Sequence, residues 1–170
     1  MKNLKRIALT FFVSVAMIAC KSDDDAGSGG NAGNGKVQAK VNGSDFESNR
    51  DFTVANQSSS GSSTTVTIQG SDNDGKGIVL VINGFEGEGS YDIGGSNTVF
   101  VVATYVEANA SNPMNSQTWS APFDSTVAGE VNVTSVTSSK IEGTFNFNAK
   151  NNNDNSMRNI TEGSFNVNFN

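Results

Sequence analysis

Two segments near the end of the chain alternate strictly between apolar and asparagine side chains. The apolar positions carry odd numbers and asparagine takes the even ones: Phe145, Phe147, Phe165, Val167 and Phe169 against Asn146, Asn148, Asn166 and Asn168. A period of two places one set of side chains in a core and the other in water, as in a half-buried β-strand. We therefore predict that Phe145 and Phe165 face the interior, while Asn146 and Asn166 face solvent.

The rest of the chain after residue 19 also lacks helical patterning. No window has apolar residues at helical spacing, and short β-branched or aromatic runs stand between Gly, Asn, Ser and Thr. Asn42-Gly43 is typical of a tight hairpin turn. Segments 75–84 and 98–106 are apolar on both faces, which predicts central strands covered on two sides. We expect an all-β domain without helix, an antiparallel β-sandwich or flattened barrel of about eight to ten strands.

The last two predicted strands resemble each other in sequence. EGTFNFN at residues 142–148 recurs as EGSFNVN at 162–168. The repeat indicates two neighbouring strands that use the same side-chain pattern. Ile160 breaks the parity of Phe165, so a bulge or twist is predicted near Gly163. The final strand is expected inside the sheet or at a protected edge.

The first nineteen residues have the three parts of a secretory signal. Lys2, Lys5 and Arg6 are followed by an apolar run over residues 7–18 and by Ala19. The run is too short to span a bilayer, which takes about 20 apolar residues. The pattern predicts export, with residues 1–19 as a signal peptide.

Cys20, the only cysteine of the chain, follows Met-Ile-Ala directly. This pattern resembles the lipobox of bacterial lipoproteins, with Met17 where leucine is usual, and the resemblance implies acylation of Cys20 and a lipid anchor in the membrane. A free or disulfide-seeking cysteine is the alternative, although no second cysteine is present to pair with it. We therefore predict that residues 20–35 are an acylated cysteine followed by a flexible acidic, Gly-rich tether. Residues 36–170 are predicted to form a single β-domain.

The order of strand and turn motifs in this domain resembles a known family. Val41-Asn42-Gly43, Gly89-Ser90-Tyr91-Asp92-Ile93, residues 141–145 and Gly163-Ser164-Phe165 carry the resemblance. The family comprises uncharacterised flavobacterial (Bacteroidota) lipoproteins, small all-β domains of unknown function behind a lipobox. The resemblance implies an outer-membrane location and supplies no catalytic residues.

Asp23, Asp24 and Asp25 lie just after the cysteine. Acidic residues at this place resemble the export signal of surface lipoproteins in the same phylum, which implies a protein that faces outward. A solubilising spacer is the alternative interpretation. Asp124-Ser125-Thr126 likewise resembles the O-glycosylation signal of the phylum, with Ser125 as the acceptor.

Charge and composition exclude several classes of function. Residues 36–170 hold seven Lys and Arg against fourteen Asp and Glu, a net charge of −7, which argues against nucleic acid and against docking on anionic lipid. The chain has no histidine, and this excludes Ser-His-Asp and Cys-His catalysis and ordinary zinc sites. Glu142 and Glu162 remain as a candidate carboxylate pair of a hydrolase, or else as two exposed residues at strand starts.

Two further patterns have a structural and a functional interpretation. SDNDGKG at 71–77, with Asp72 and Asp74, superficially resembles a calcium loop but is more typical of a hairpin turn. Trp119, Tyr105 and Tyr91 could form a platform for sugars, although buried aromatic side chains in the core are favoured. We predict neither a metal site nor a cofactor.

The sequence therefore predicts a non-enzymatic binding or interaction module, lipid-anchored in the outer membrane and facing outward, with an unknown protein or glycan ligand. The alternative is an accessory subunit that packs on a larger outer-membrane secretion or uptake complex. A carboxylate-based hydrolase is the least favoured reading.

Overall fold

The computed structural model describes residues 31–95 and 100–170. These residues form eleven β-strands: β1 (Lys36–Val41), β2 (Ser44–Glu47), β3 (Thr53–Ser60), β4 (Ser63–Ser71), β5 (Lys76–Asn83), β6 (Gly89–Gly94), β7 (Phe100–Glu107), β8 (Gln117–Ala121), β9 (Val127–Val136), β10 (Lys140–Lys150) and β11 (Met157–Asn168). Two short 3₁₀ turns, Arg50–Phe52 and Pro113–Asn115, lie between strands, and the described residues contain no α-helix. The predicted all-β fold is confirmed, with eleven strands instead of eight to ten.

All the strands belong to one antiparallel sheet that curls into a half-barrel. The order along the sheet is β2-β1-β11-β10-β8-β7-β5-β4-β3, with β9 beside β10 and β6 beside β9. A parallel bridge between Ala55 and Phe169 brings β3 to the end of β11. The core therefore lies inside one curled sheet, so the barrel is the nearer of the two predicted architectures. The final strand lies inside the sheet, as predicted.

Two strands, β8 and β9, share β10 as a partner, and each pairs on its other side with a different strand. β8 and β9 both pair with β10, the first only at Ser120–Lys150 and the second along residues 129–136. Their other partners are β7 for β8 and β6 for β9, and at the end of β6 Gly94 and Gly95 have φ of 88° and 78°. A Cβ atom on Gly94 would lie 2.5 Å from the Thr126 carbonyl oxygen, so the close approach of these two segments requires glycine.

The core collects the inward side chains of the strands. The largest that are fully buried are Tyr105, Phe147, Phe165, Ile68, Ile78, Leu80, Ile82, Ile93, Ile141, Ile160, Val37 and Val66. Burial of each aliphatic or aromatic side chain stabilises the fold by about 1.5–3 kcal/mol relative to exposure. One contiguous cluster of such side chains holds the strands together.

The predicted coverage of β5 and β7 on both faces is not found. Both strands do lie in the middle of the sheet, between β4 and β8. Their outward side chains Val79, Val81 and Val102 are nevertheless only half-buried. One face of these strands packs in the core, and the apolar residues of the other face contact solvent.

The repeated EG(T/S)F motif forms a reciprocal pair on β10 and β11. Phe145 lies opposite Gly163, and Phe165 lies opposite Gly143. The two rings stack with centroids 6.3 Å apart. A Cβ atom on Gly143 would lie 2.5 Å from the Phe165 ring, and one on Gly163 would lie 2.6 Å from the Phe145 ring. Each ring therefore occupies the space that a side chain on the neighbouring strand would need.

The predicted irregularity near Gly163 is confirmed as a β-bulge. The register shifts between Phe145–Gly163 and Phe147–Ile160, and Glu162 has φ of 52°. The extra residue changes the side of the sheet that the odd positions face, so Ile160 and Phe165 both point inward. The bulge thus reconciles the broken parity of the sequence with one continuous core.

The chain just before β1 also packs on the domain. Ala32 is buried, and the Gly35 N–H donates a 2.7 Å hydrogen bond to the Asn166 carbonyl oxygen. Asn146 is exposed, as predicted, whereas Asn166 is only partly exposed and its Oδ1 atom is buried without a hydrogen-bond partner. The prediction that Asn166 faces water is therefore wrong in part, because β1 pairs along this strand with Lys36 opposite Asn166.

Replacement of the stacked rings should destabilise the domain. We expect Phe145→Ala or Phe165→Ala to lower the free energy of unfolding by about 3–5 kcal/mol, because each leaves a cavity over a glycine. Asn146→Ala, on the exposed face of the same strand, should change it by less than about 0.5 kcal/mol. Denaturant titration of the three variants measures both values, and equal losses would contradict the register.

Candidate binding groove

A groove of about 290 Å³ lies between the β1–β2 hairpin and the ends of three other strands. The hairpin forms one wall, and Lys76 at the start of β5, Glu107 at the end of β7 and Arg158 near the start of β11 form the other. The Tyr105 side chain also reaches the groove from the core. The curl of the sheet thus brings together residues that are distant in sequence.

Arg158 is held in place on two sides. Its guanidinium carbon lies 4.0 Å from the centroid of the Trp119 ring, and its Nη2 atom lies 3.5 Å from Glu107 Oε1. The indole in turn donates a 2.9 Å hydrogen bond from Nε1 to Ser156 Oγ. A guanidinium stacked on an aromatic face and paired with a carboxylate loses little further freedom when it binds a ligand.

Tyr105 supports the carboxylate of this pair from below. Its hydroxyl donates a 3.1 Å hydrogen bond to Glu107 Oε1, while its ring is buried in the core. Burial raises the pKa of the Tyr105 hydroxyl well above its ordinary value, and the negative charge of Glu107 raises the pKa further. The hydroxyl therefore remains a hydrogen-bond donor at neutral pH.

The hairpin wall is fixed to the strand that carries Arg158. Asn42 and Gly43 form the predicted turn, with φ of 49° and 83°. Asn42 exchanges two 2.8 Å hydrogen bonds with Asn159: its backbone N–H donates to the Asn159 carbonyl oxygen, and its Oδ1 accepts from the Asn159 N–H. The width of the groove beside Arg158 is thus set by the turn itself.

The groove presents charges of both signs. Lys76 and Arg158 are its cations, and Asp45 and Glu107 are its anions. No ion pair of Lys76 is found within residues 31–95 and 100–170. Arg158 has five N–H donors, of which Glu107 engages only part. The two cations can donate hydrogen bonds to an anionic group, and the two carboxylates can accept hydrogen bonds from hydroxyl or ammonium groups of a ligand.

A larger cleft of about 520 Å³ lies at the other end of β2. Much of its polar lining is already paired: Lys36 with Glu47, the Asn49 side chain with that of Asn73, and Asp72 with backbone N–H groups of the β4–β5 turn. Since side chains that satisfy one another offer less to a ligand, we regard the smaller groove as the better candidate.

The aromatic residues singled out from the sequence are core residues. Trp119, Tyr105 and Tyr91 are only 2%, 2% and 7% exposed. The favoured prediction is confirmed, and an exposed platform for sugars is not formed. Trp119 contributes to the groove indirectly, as the surface on which Arg158 lies.

The two candidate carboxylates do not come together. Glu142 lies opposite Asn166, four positions from Glu162 along β11, which corresponds to about 13 Å of strand. Each is bound to a lysine instead, Glu142 to Lys140 and Glu162 to Lys40. A glycosidase pair needs a separation of about 5–9.5 Å, so this pair does not supply one.

The segment 71–77 forms the β4–β5 hairpin turn. Asp72 Oδ1 accepts hydrogen bonds from the backbone N–H groups of Asp74 at 2.9 Å and Lys76 at 2.8 Å. Across the part of the chain that the structure describes, no group of three or more His, Cys, Asp or Glu residues is arranged to hold a metal ion.

Ser125 lies in the exposed loop between β8 and β9. The preceding carboxylate organises this loop, because Asp124 Oδ1 accepts hydrogen bonds from the Thr126 hydroxyl at 2.6 Å and the Thr126 N–H at 2.8 Å. These bonds lower the pKa of Asp124. Ser125 is therefore accessible, and its glycosylation stays a prediction. Cys20, Asp23, Asp24 and Asp25 lie outside the described residues.

Sequence reasoning missed the groove itself. Arg158, Glu107 and Lys76 belong to three different segments, and no spacing in the sequence connects them. Of its lining residues, Asn42 is predicted as part of a turn and Tyr105 as a core aromatic residue, and neither prediction indicates a groove.

The comparisons give one match. A family model with the description "Domain of unknown function (DUF6252)" matches residues 33–167. Neither a curated protein nor a solved structure matches the chain. Among the described residues, no helix is long and apolar enough to cross a membrane.

Burial of the Tyr105 hydroxyl, together with its contact with Glu107, should make the stability of the domain fall at alkaline pH. The pKa of Tyr105 in the folded protein lies above its unfolded value of about 10. The contribution of the protonated hydroxyl to the free energy of unfolding is therefore fully present below about pH 10 and is lost as the pH rises toward the folded pKa. Tyr105→Phe should cost about 1 kcal/mol at pH 7 and should reduce the loss above about pH 10. Unfolding titrations of both proteins at pH 7 and above pH 10 test this, and parallel pH profiles would contradict it.

Proposed function

We propose a function from the premise that the chain belongs to this family of domains of unknown function. In this proposal it is an outward-facing, lipid-anchored outer-membrane protein, and its domain is a non-enzymatic binding domain. The groove beside Arg158 is its binding site. The observation that carries the binding role is the fixed guanidinium, stacked on Trp119 at 4.0 Å and paired with Glu107.

The anchor rests on the N-terminal sequence. A cationic start, an apolar run and Ala19 precede the only cysteine, and three aspartates follow within five residues of it. Lipidation would use this thiol and leave the domain free of cysteine. Acyl chains contribute about 0.8 kcal/mol per buried CH₂ group, so two or more of them hold a protein firmly on a membrane.

The ligand of the groove carries an anionic group, such as a carboxylate or phosphate. Arg158 and Lys76 supply donors for its oxygens, and Asp45 and Glu107 accept from neighbouring hydroxyl or ammonium groups. Charge-assisted hydrogen bonds to such groups are about twice as strong as neutral ones. Because residues 36–170 carry a net charge of −7, attraction of an anion depends on these two local cations.

Exposed apolar side chains favour the accessory subunit as a second candidate. Phe100 and Val127 are 56% and 55% exposed, and Phe123 is 39% exposed. Large exposed apolar side chains are common where proteins contact one another. In this second case the domain would pack on a larger outer-membrane complex through these residues.

Changes in the three aspartates should separate surface export from a spacer role. We expect Asp23→Ala, Asp24→Ala and Asp25→Ala together to leave lipidation and stability unchanged and to strand the protein on the periplasmic side. Intact cells should then protect the domain from added protease, while lysed cells contain normal amounts. A triple variant as accessible as the parent would remove the main support for the outward orientation.

Replacement of Arg158 should remove anion binding at the groove. We expect Arg158→Gln to weaken binding of acetate and inorganic phosphate at least about tenfold, because charge-assisted hydrogen bonds contribute about 1.5–3 kcal/mol. Arg50→Gln is the matched control, since Arg50 is an exposed arginine that lines the other cleft. NMR titration of backbone amides measures both affinities, and equal effects of the two changes would indicate unspecific charge attraction.

A further inference from the structure

We infer that the free edge of β3 is a self-association site, at which β3 pairs antiparallel with β3 of a second copy of the chain. The site does not depend on the groove or on the lipid anchor. It rests on the direction of the backbone groups, the exposure of the strand and the absence of charge.

The backbone of β3 has one edge that is used by β4 and one that is nearly unused. β3 pairs with β4 along its whole length, from Thr53–Gly70 to Ser60–Ser63. The Asn170 N–H donates a 3.0 Å hydrogen bond to the Ala55 carbonyl oxygen, so residue 55 points its backbone groups away from β4. Because the direction alternates in an antiparallel ladder, Gln57 and Ser59 point outward as well.

No backbone partner of Gln57 or Ser59 on this outer side is found within residues 31–95 and 100–170. Residues 56–60 are exposed at every position, so this end of β3 is open to solvent. An uncovered row of N–H and C=O groups is a template for a further strand.

The edge lacks the features that usually prevent such pairing. The segment from Thr53 to Gly70 contains no Asp, Glu, Lys, Arg or Pro. At the other end of the sheet, β2 has only four residues and carries Asp45 and Glu47, which protect that edge. Of the two ends of the main strand order, β3 is therefore the one that is open to a partner strand.

The same neutrality favours a second copy as the partner. Two copies of a domain with a net charge of −7 repel each other over most of their surfaces. At β3 they can meet without opposing like charges. The outward backbone groups of Gln57 and Ser59 also suit a second copy. In an antiparallel two-fold arrangement, each N–H of one copy lies opposite a C=O of the other.

The geometry fixes the register of this pair. The Ala55 carbonyl oxygen already accepts a hydrogen bond from the Asn170 N–H, so the new ladder is built from Gln57 and Ser59. Gln57 then pairs with Ser59 of the partner subunit, and Ser59 pairs with Gln57 of the partner subunit, through about four hydrogen bonds. The two-fold axis passes beside Ser58, which faces Ser58 of the partner subunit. So short a ladder predicts a weak and reversible dimer.

Disulfide trapping tests the register directly. In the full chain with Cys20→Ser, kept in detergent, Ser58→Cys provides a single thiol at the axis, where opposed Cα atoms are about 4.5 Å apart and within disulfide range. We expect it to form covalent dimers at least about tenfold faster than Asn56→Cys or Ser60→Cys alone, whose thiols lie about 13 Å from their own copies. A mixture of Asn56→Cys and Ser60→Cys should again react rapidly, because these positions face each other. Equal rates in all samples would overturn the proposal.

Ser59→Pro tests the hydrogen bonds without disturbing the β3–β4 ladder. The proline removes an N–H that points away from β4, so the unfolding midpoint should stay unchanged. Sedimentation equilibrium of the unmodified full chain and of this variant, both in the same detergent, should show a dimer that Ser59→Pro weakens at least about tenfold. A monomeric parent at all concentrations up to about 1 mM, or a dimer of unchanged strength in the variant, would overturn the proposal.

Discussion

The stacking of two phenylalanine rings over two glycines holds the centre of the sheet together. Phe145 lies over Gly163 and Phe165 lies over Gly143, so the two rings and the two backbones of β10 and β11 interlock. β10 and β11 have neighbours on both sides, and the order of the sheet runs through them. A side chain at either glycine would separate these strands, and the curl of the sheet around its core depends on their close contact.

The features of the fold that the sequence predicts are those set by neighbouring residues. Alternation identifies the inward Phe145 and Phe165, Asn42-Gly43 identifies a turn, and the parity change before Gly163 identifies a bulge. The predicted number of strands was too low, since the described residues form eleven, among them the short β6 and β8. Pairing with β9 and β7 fixes these short strands, and the pattern of one segment alone does not contain that pairing.

The groove is less predictable than the fold for the same reason. Arg158 acquires its role from Trp119, which lies on another strand, and from Glu107, which lies on a third. A single arginine in an Asn-rich segment has no pattern that distinguishes it from a solvated surface residue. The aromatic residues were correctly assigned to the core, yet the charged layer above Trp119 becomes visible only once the curl of the sheet is known.

The pairing of β1 with β11 has a consequence for the way in which the domain folds. Val37 lies opposite Phe165, so β1 finds one of its two neighbours only in β11. Contacts this distant in sequence carry a large loop-closure entropy and are typical of slow folding. In a chain that emerges from its N-terminus, β1 can pair with β2 early, but its edge toward β11 stays unpaired until the C-terminal segment is free. During that interval the apolar face of β1 is exposed, and protection from aggregation must come from the cell instead of from the fold.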